Sequence, residues 1–279
     1  MNIPAVPFMA VELARGAPAT SEERVRVLVL GGWSPGPLDD LQWAMINQAT
    51  FFEPSLHKPP AGWRWCLTWE SALLFGSVAA MSYLSASEWP SSTEVRLALI
   101  LSCVLAVPLS IVLLVRGSIR RCIAIAKCAI VLHHIDVIVG FSWGGGVACW
   151  LLAERNMWRG PTLLLAPTIA AMSGIALLAM PRFLASAEAQ SDDPAAPLVH
   201  IVHAMNDGFC PALQHHHLAA TGAAMHLCDD IHIFSHPHSV QKIVQAFSVC
   251  VQEARRRRSG SSRPYICKDT AFPDPHVIS

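Results

Sequence analysis

The stretch Asp136-Val-Ile-Val-Gly-Phe-Ser-Trp-Gly-Gly-Gly-Val-Ala-Cys-Trp150 decides the predicted fold. An apolar run rich in β-branched residues passes through Gly-x-Ser-x-Gly and continues directly into residues that favour a helix. This order predicts a buried strand at residues 135–139, a tight turn at the serine and a helix at residues 144–154.

The predicted turn gives Ser142 a chemical role. Gly140 and Gly144 leave room for the strained serine backbone that such a turn requires. The turn would lift the Ser142 hydroxyl above the sheet, at the start of a helix whose dipole favours negative charge. We therefore interpret Ser142 as a candidate nucleophile, with a purely structural turn as the alternative.

Strands and helices alternate on both sides of this stretch. Ahead of it, short apolar runs predict strands at residues 25–30 and 50–53, with a helix at residues 37–48 between them. Such alternation predicts an α/β fold with a mostly parallel, doubly wound sheet. The pattern beyond residue 118 predicts strands at 162–166, 198–203 and 225–228 and helices at 118–132, 212–220 and 239–256.

The predicted organisation is one α/β domain at residues 23–258. Residues 1–22 are rich in Pro and Ala and show no sustained period, so we expect a flexible N-terminal arm. Residues 259–279 are expected to form a disordered tail. A hydrophobic insert at residues 66–116 interrupts the domain.

The composition excludes several classes of protein. The chain has 279 residues, of which 14% are charged and 53% hydrophobic, whereas soluble domains average about 25% charged. Low charge with high apolarity excludes a disordered chain, and a formal net charge of +0 argues against a nucleic-acid binder. The 9 cysteines are an odd number without a CxxC pair, which indicates reduced thiols facing the cytosol.

The insert at residues 66–116 is a candidate for membrane association. Residues 71–87 and 97–115 carry no charge, and each is close to the roughly 20 residues that cross a bilayer core. We expect a helical hairpin, and the basic residues that flank it place the rest of the protein on the cytosolic side. The alternative is a soluble lid in a cytoplasmic protein, since the first segment is rich in serine and the second contains Pro108.

With this turn and this order of strands, the sequence resembles the α/β-hydrolase superfamily of serine esterases and lipases. The resemblance implies that an acid and then a histidine follow the serine along the chain. Asp207, in an Asp-x-x-x-Pro segment after a predicted strand, matches the acid, and His232, after the next helix and strand, matches the general base. Rivals stay open in the same region, namely His236 and His238 for the base and Asp229 and Asp230 for the acid.

The resemblance also implies an oxyanion hole built from two backbone N–H donors. One belongs to the residue after the nucleophile, Trp143. The other belongs to a loop after an early strand, which here reads Gly31-Gly-Trp33-Ser-Pro-Gly36 and assigns the donor to Trp33. The family commonly has His-Gly at this place, whereas this chain has Gly31 where the histidine stands. The loop lacks the glycine order of a dinucleotide or phosphate loop, so we expect neither ligand.

These residues predict a serine hydrolase that cleaves a hydrophobic carboxylic ester or thioester through an acyl-enzyme at a membrane surface. The expected partners are the acyl ester substrate and membrane lipid, without nucleic acid, and the sequence leaves the oligomeric state open. No cofactor is expected, and no metal either, because the adjacent residues His215-His-His217 point in different directions on a helix. Two alternatives remain, a catalytically inactive membrane scaffold with this fold and an acyltransferase that uses the same triad.

The run Arg255-Arg-Arg-Arg258 closes the last predicted helix. Cations suit the C-terminal end of a helix dipole, which predicts a solvated helix end. The alternative is attraction of the run to anionic lipid headgroups.

Overall fold

The computed structural model describes residues 24–34, 36–60, 64–86, 92–154, 157–188 and 196–260. The predicted N-terminal arm at residues 1–22 lies outside the described residues, as does the predicted tail beyond residue 260.

Six parallel strands form a single sheet in the part of the chain that the structure describes. In chain order they are β1 (Val25–Leu30), β2 (Ala49–Phe52), β3 (Val137–Phe141), β4 (Thr162–Leu165), β5 (Val199–Ala204) and β6 (Ala224–Cys228). Their order across the sheet is β2-β1-β3-β4-β5-β6. The predicted α/β class with a parallel sheet is therefore confirmed, and the predicted strands match the observed ones closely.

Helices connect these strands. They are α1 (Leu38–Met45), α2 (Trp69–Ala86), α3 (Thr93–Leu132), α4 (Trp143–Ala153), α5 (Ile169–Ala176), α6 (Ala212–Ala219) and α7 (Pro237–Gly260). A short 3₁₀ helix covers Arg64–Leu67.

The register of the central strands brings their carboxyl ends to one edge of the sheet. Leu30 of β1 lies beside Gly140 of β3, and Phe141 lies beside Leu165 of β4. All residues of β3, β4 and β5 are buried, as expected for parallel strands covered by helices on both faces. Loops that leave this edge are therefore held by a rigid, apolar core.

Helix α7 packs its apolar face into the core cluster that includes the strands and α1. The α7 members of that cluster are Ile243, Ala246, Phe247, Cys250, Val251 and Ala254. The ring of Phe51 in β2 contacts the ring of Phe247 in α7, with centroids 6.2 Å apart, so β2 packs against the same cluster.

The basic run at the end of α7 makes intramolecular ion pairs. Arg256 and Arg257 both bind Glu253, whose side chain is fully buried. Arg258 donates to both carboxylate oxygens of Asp136, the residue that precedes β3. Arg257, which also donates to the Arg159 carbonyl at 2.7 Å, and Arg258 therefore attach the end of α7 to neighbouring elements, a role that neither interpretation of the sequence anticipated.

The described chain forms two compact units, and the second comprises His57–Cys122 and Met172–Ala179. Within it, Arg96 donates to the carbonyl oxygens of Leu84 and Ser85 at 2.9 and 3.0 Å, which links the start of α3 to the end of α2. Buried Glu70 accepts from Arg121 at 2.8 and 3.0 Å. The expected helical hairpin is therefore present as two helices tied at both ends.

The second helix of this hairpin is longer than predicted. The sequence predicts an apolar segment at residues 97–115 and a separate helix from residue 118, whereas α3 runs without a break from Thr93 to Leu132. Gly117 is the only glycine in that span, and one glycine costs a helix only about 1 kcal/mol. This cost is small beside the many hydrogen bonds of a 40-residue helix, so the helix continues.

Among the described helices, α3 alone is long and apolar enough to cross a membrane. Its most apolar window has a mean hydropathy of 2.9 and is only 17% buried. Helix α2 does not meet this criterion, so the structure offers one such helix where two apolar segments were predicted. The exposed large apolar residues of α3 include Leu97, Leu99, Leu101, Val104, Leu105, Leu109 and Ile111.

Candidate active site

Ser142 occupies the sharp turn between β3 and α4. Its backbone has φ 53° and ψ −117°, a conformation that a residue with a side chain rarely adopts. Its N–H donates to the Leu165 carbonyl at 2.9 Å, and its own carbonyl accepts from Gly146 at 3.0 Å and Thr168 at 3.2 Å. These bonds hold the strained turn between β4 and the first turn of the helix.

Glycine is required on both sides of this serine. A Cβ at Gly144 would overlap the carbonyl oxygen of Leu30, and a Cβ at Gly140 would lie 2.8 Å from the Cα of Gly145. In the loop after β1, a Cβ at Gly32 would lie 2.7 Å from the Cβ of Ser142. The sequence predicts the first two requirements from the motif, whereas the third depends on β1 and β3 being neighbours.

The structure brings Ser142, His232 and Asp207 into one hydrogen-bonded series. His232 Nε2 lies 2.8 Å from Ser142 Oγ, and His232 Nδ1 lies 2.6 Å from Asp207 Oδ2. The three residues come from three loops, after β3, β6 and β5 respectively. A hydroxyl, an imidazole and a carboxylate in this order can activate the hydroxyl as a nucleophile.

Asp207 is held in its ionised form. Its side chain is fully buried, which by itself disfavours the charge. The hydrogen bond and the charge of His232, together with the Phe209 N–H at 2.8 Å, outweigh this burial and lower the pKa of Asp207. The carboxylate is therefore negative at neutral pH and can stabilise a protonated His232.

Asp230 organises the loop that carries His232. It is buried and accepts from the backbone N–H groups of Ile231, Ser235 and His236 at 2.8, 3.2 and 2.9 Å. These bonds outweigh the burial and lower its pKa. The sequence suggested Asp230 only as a rival acid, since a loop-forming role depends on contacts that no spacing displays.

The other rivals lie away from the series. Asp229 is exposed and accepts from Asn206 Nδ2 at 2.8 Å. His236 and His238 are exposed at the start of α7. Among the residues weighed from the sequence, His232 contacts the serine hydroxyl and Asp207 contacts His232.

The two tryptophans assigned to the oxyanion hole lie beside each other. Their rings stack with centroids 6.0 Å apart and an interplanar angle of 22°. Trp143 is the first residue of α4, so its backbone N–H has no partner inside the helix. Trp33 follows Gly32, which is in close contact with Ser142.

Apolar side chains surround His232. The rings of Phe141 and Phe209 have centroids 5.4 and 5.2 Å from the imidazole. Phe209 is 58% exposed and Trp33 is 52% exposed, although both carry large apolar rings. The nearby chain exposes further apolar residues, namely Met205, Ile231 and Ile233.

Asp207 belongs to a group of three side chains of the types that bind metal ions. The donor atoms of His203, Asp207 and Cys210 are all within 4.8 Å of one another, and all three residues are buried. In the sequence, only the run at residues 215–217 suggests metal binding. The members of this group lie at the end of β5 and on the following loop, and their spacing matches no known metal motif.

Comparisons with known proteins bear on the fold only. No family model matches the chain, and no curated protein matches it. Among solved structures, a protein from Xanthomonas campestris assigned to the hydrolases of the alpha/beta superfamily is 19% identical over 82% of this chain and 99% of its own, with a TM-score of 0.41. The carboxylesterase of Bacillus cereus is 15% identical over 84% of this chain and 92% of its own, with a TM-score of 0.39. Esterase PE8 is 13% identical over 84% of this chain and 96% of its own, with a TM-score of 0.42.

The architecture of this chain can be identified from its own features. The parallel sheet has the order β2-β1-β3-β4-β5-β6, and a strained serine joins β3 to α4. An aspartate follows β5 and a histidine follows β6. The histidine lies within hydrogen-bond distance of the serine hydroxyl, and the aspartate lies within hydrogen-bond distance of the histidine. This chain has the fold of the α/β-hydrolase superfamily.

Proposed function

We propose that the protein is a serine hydrolase that cleaves a hydrophobic carboxylic ester or thioester. The observation that carries the proposal is the series Ser142–His232–Asp207, with heavy-atom distances of 2.8 and 2.6 Å, at a strained turn below a helix N-terminus. A turn with a purely structural role needs neither a histidine on the serine hydroxyl nor a buried carboxylate behind that histidine.

The proposed mechanism follows from this geometry. His232 Nε2 accepts the Ser142 proton while Oγ attacks the acyl carbonyl, and Asp207 stabilises the resulting imidazolium. The backbone N–H groups of Trp33 and Trp143 donate to the tetrahedral oxyanion. His232 then protonates the leaving alcohol or thiol, and water activated by the same imidazole hydrolyses the acyl-enzyme.

The apolar surroundings support a hydrophobic substrate. Trp33 and Phe209 are large, rigid and more than half exposed beside the series. An apolar acyl chain lying against these rings would remove apolar surface from water, at roughly 25 cal/mol per Å². We therefore expect a preference for longer acyl chains over acetyl.

Activity-based labelling tests the enzymatic part of the proposal. A fluorophosphonate probe should label the wild-type protein and a Ser248→Ala control, because Ser248 only bonds its own helix at the Val244 carbonyl. The Ser142→Ala variant should not label. An unlabelled wild-type protein would support the inactive scaffold instead. A labelled Ser142→Ala variant would show that another residue reacts with the probe and would contradict the role of Ser142. With graded p-nitrophenyl esters, product analysis in the presence of an added alcohol separates hydrolysis from acyl transfer.

We further propose that α2 and α3 insert into a membrane and leave the catalytic unit on the cytosolic side. Strands β1 and β3 pair directly, although α2 and α3 lie between them in the chain. The two ends of the hairpin must therefore lie on the same side of any membrane, which allows two crossings or none. If α3 crosses, α2 crosses back with it.

The polar groups of the hairpin suit such an insertion. In α2, Ser77, Ser82 and Ser85 each donate to a carbonyl four residues earlier, at 2.8–3.0 Å. In α3, Ser102 and Ser110 do the same at 2.8 and 2.7 Å. A hydroxyl bonded within its own helix has a partner in the absence of water, which reduces the cost of lipid exposure.

Membrane fractionation tests this second part. The expressed protein should stay in the pellet after carbonate extraction. A glycosylation acceptor placed between residues 86 and 93 should be modified in microsomes, whereas one in the tail after residue 260 should not. Full release of the protein into the supernatant would establish the soluble lid.

A further inference from the structure

A second set of buried, chemically reactive side chains lies directly behind the proposed active site. His203 is fully buried at the end of β5, and Cys210 is 3% exposed on the loop that carries Asp207. Their donor atoms and those of Asp207 lie within 4.8 Å of one another. Nothing in the proposed ester chemistry requires either the imidazole or the thiol.

Two imidazole nitrogens at this place have no hydrogen-bond partner among the described residues. They are Nδ1 of His203 and Nε2 of His215, and the two rings meet edge to face with centroids 3.9 Å apart. His203 Nε2 lies 3.4 Å from Gln214 Nε2, a long contact. Buried polar atoms normally have partners, so the unpaired Nδ1 of His203 is free to bind a ligand.

We propose that His203, Asp207 and Cys210 form a binding site for a divalent ion of the zinc class. One imidazole nitrogen, one thiolate and one carboxylate oxygen are the three ligand types that Zn²⁺ takes in proteins, and a water completes the tetrahedron. Zinc bond lengths of about 2.0–2.3 Å require the donor atoms to move together by roughly 1 Å.

Zn²⁺ binds a neutral imidazole and a thiolate. Binding at this site would form a sulfur–metal bond and release the Cys210 thiol proton to the solvent, so the affinity should rise with pH.

The ion would inhibit the hydrolase, a consequence that rests on the proposed function. Asp207 Oδ2 faces His232 Nδ1, Oδ1 accepts the Phe209 N–H, and the Cys210 thiol is also hydrogen-bonded to this carboxylate. A dication on this carboxylate would neutralise the charge that stabilises a protonated His232. The site would thus reduce turnover without contact with Ser142.

Metal binding can be measured without any assay of activity. The reduced, chelator-treated full chain is titrated with Zn²⁺ by calorimetry and with Co²⁺ by absorption, and X-ray absorption reads the ligands of the zinc-loaded wild type. We expect one ion per chain, a thiolate-to-cobalt charge-transfer band, and one sulfur neighbour at about 2.3 Å. No ion bound at equimolar concentration, or a zinc shell without sulfur, would overturn the proposal.

Variants locate the site. Cys210→Ser keeps the size of the side chain and should weaken Zn²⁺ binding at least tenfold and abolish the cobalt band. Cys250→Ala removes an equally buried thiol from α7 and should change neither. Equal loss in both variants, or an unchanged band in Cys210→Ser, would contradict the assignment. If Cys210→Ser does not fold, X-ray absorption on the zinc-loaded wild-type protein still shows whether a sulfur atom binds the ion.

Inhibition is tested separately. Stoichiometric Zn²⁺ should slow ester hydrolysis by the wild type, a chelator should restore it, and the ratio of rates with and without Zn²⁺ should return towards one in Cys210→Ser. A protein that binds zinc at this site but hydrolyses no ester would refute the proposed function and leave the metal site intact. An active wild type that Zn²⁺ binding leaves uninhibited would refute the regulatory role.

Discussion

His232 Nε2 lies 2.8 Å from Ser142 Oγ, although 90 positions separate the two residues in the chain. Two features produce this distance. The strained backbone at Ser142 raises the hydroxyl at the carboxyl edge of the sheet, and buried Asp230 shapes the loop after β6 that carries His232. The relationship therefore depends on the order of the strands across the sheet as much as on the motif around the serine.

The negative charge of Asp207 should account for most of the rate that the histidine provides. Asp207→Asn replaces the carboxylate with a neutral amide of the same shape, so we expect hydrolysis and probe labelling to slow by about 10⁴-fold with the fold retained. Asp229→Asn changes an exposed aspartate on the neighbouring loop and should leave the rate unaffected. Rate measurements on both variants, with circular dichroism as the control for folding, decide the matter; a loss below tenfold in Asp207→Asn would contradict the assigned role.

Gly144 should tolerate no side chain. A methyl group there overlaps the Leu30 carbonyl, so Gly144→Ala must shift backbone, which we expect to lower the free energy of unfolding by about 1–3 kcal/mol and to abolish labelling. Gly174→Ala is the matched control, because nothing lies within 4 Å of an added Cβ at that helical position. The control should be neutral or slightly stabilising, by up to about 1 kcal/mol. Urea denaturation measures both, and equal effects would show that the close approach at Gly144 is unimportant.

The ion pair between Arg258 and Asp136 should stabilise the attachment of α7. Asp136 is buried, accepts from the Arg26 N–H at 2.7 Å and lies 3.7 Å from Arg26 Nε, so Arg258→Gln removes the closer of its two ion pairs. We expect a loss of about 1–3 kcal/mol in the free energy of unfolding. Arg255→Gln, at an exposed position of the same run, should change stability by less than about 0.5 kcal/mol. A larger loss of stability in Arg255→Gln than in Arg258→Gln would mean that the basic run acts through the helix dipole and not through the ion pair with Asp136.

Stability should fall in mild acid because of a buried histidine pair. His200 Nδ1 lies 2.9 Å from His226 Nε2, and burial together with the charge of His226 lowers the pKa of His200 to about 4. Burial and then Lys242 on α7 also lower the pKa of His226. The folded state therefore binds fewer protons than the unfolded state, whose His200 titrates near 6.5. The contribution is fully present above pH 6.5 and is lost as the pH falls from 6.5 to 4, to a limit on the order of 3 kcal/mol.

The test compares two histidine variants by urea denaturation between pH 7 and pH 4. His200→Leu should show a smaller dependence of the unfolding free energy on pH than the wild type, by close to one proton. His216→Asn alters an exposed histidine on α6 and should keep the full dependence. An unchanged slope in His200→Leu would mean that other groups cause the acid sensitivity.

Much of the fold was predictable from local sequence. The β-branched run at Val25–Leu30 and the glycines around Ser142 are short-range signals, and both predicted elements are present. The end of the second hairpin helix was not predictable in the same way. The sequence predicts an apolar segment that ends at residue 115 and a separate helix from residue 118, but a helix can continue through the single Gly117, as α3 does to Leu132.

The sequence by itself determined the order of the strands and the turn at Ser142, because periodicity and turn residues are local properties. The resemblance to a known family, and not a local signal, pointed to Asp207 and His232. Only the tertiary structure decided the strand order that sets these three side chains within hydrogen-bond distance. It also decided the role of Asp230, the pairing of Arg258 with Asp136 and the placement of His203 and Cys210 behind Asp207. These contacts join residues that lie far apart in the chain or on opposite sides of a loop. They depend on how the sheet and its loops pack, and no short stretch of sequence encodes that packing.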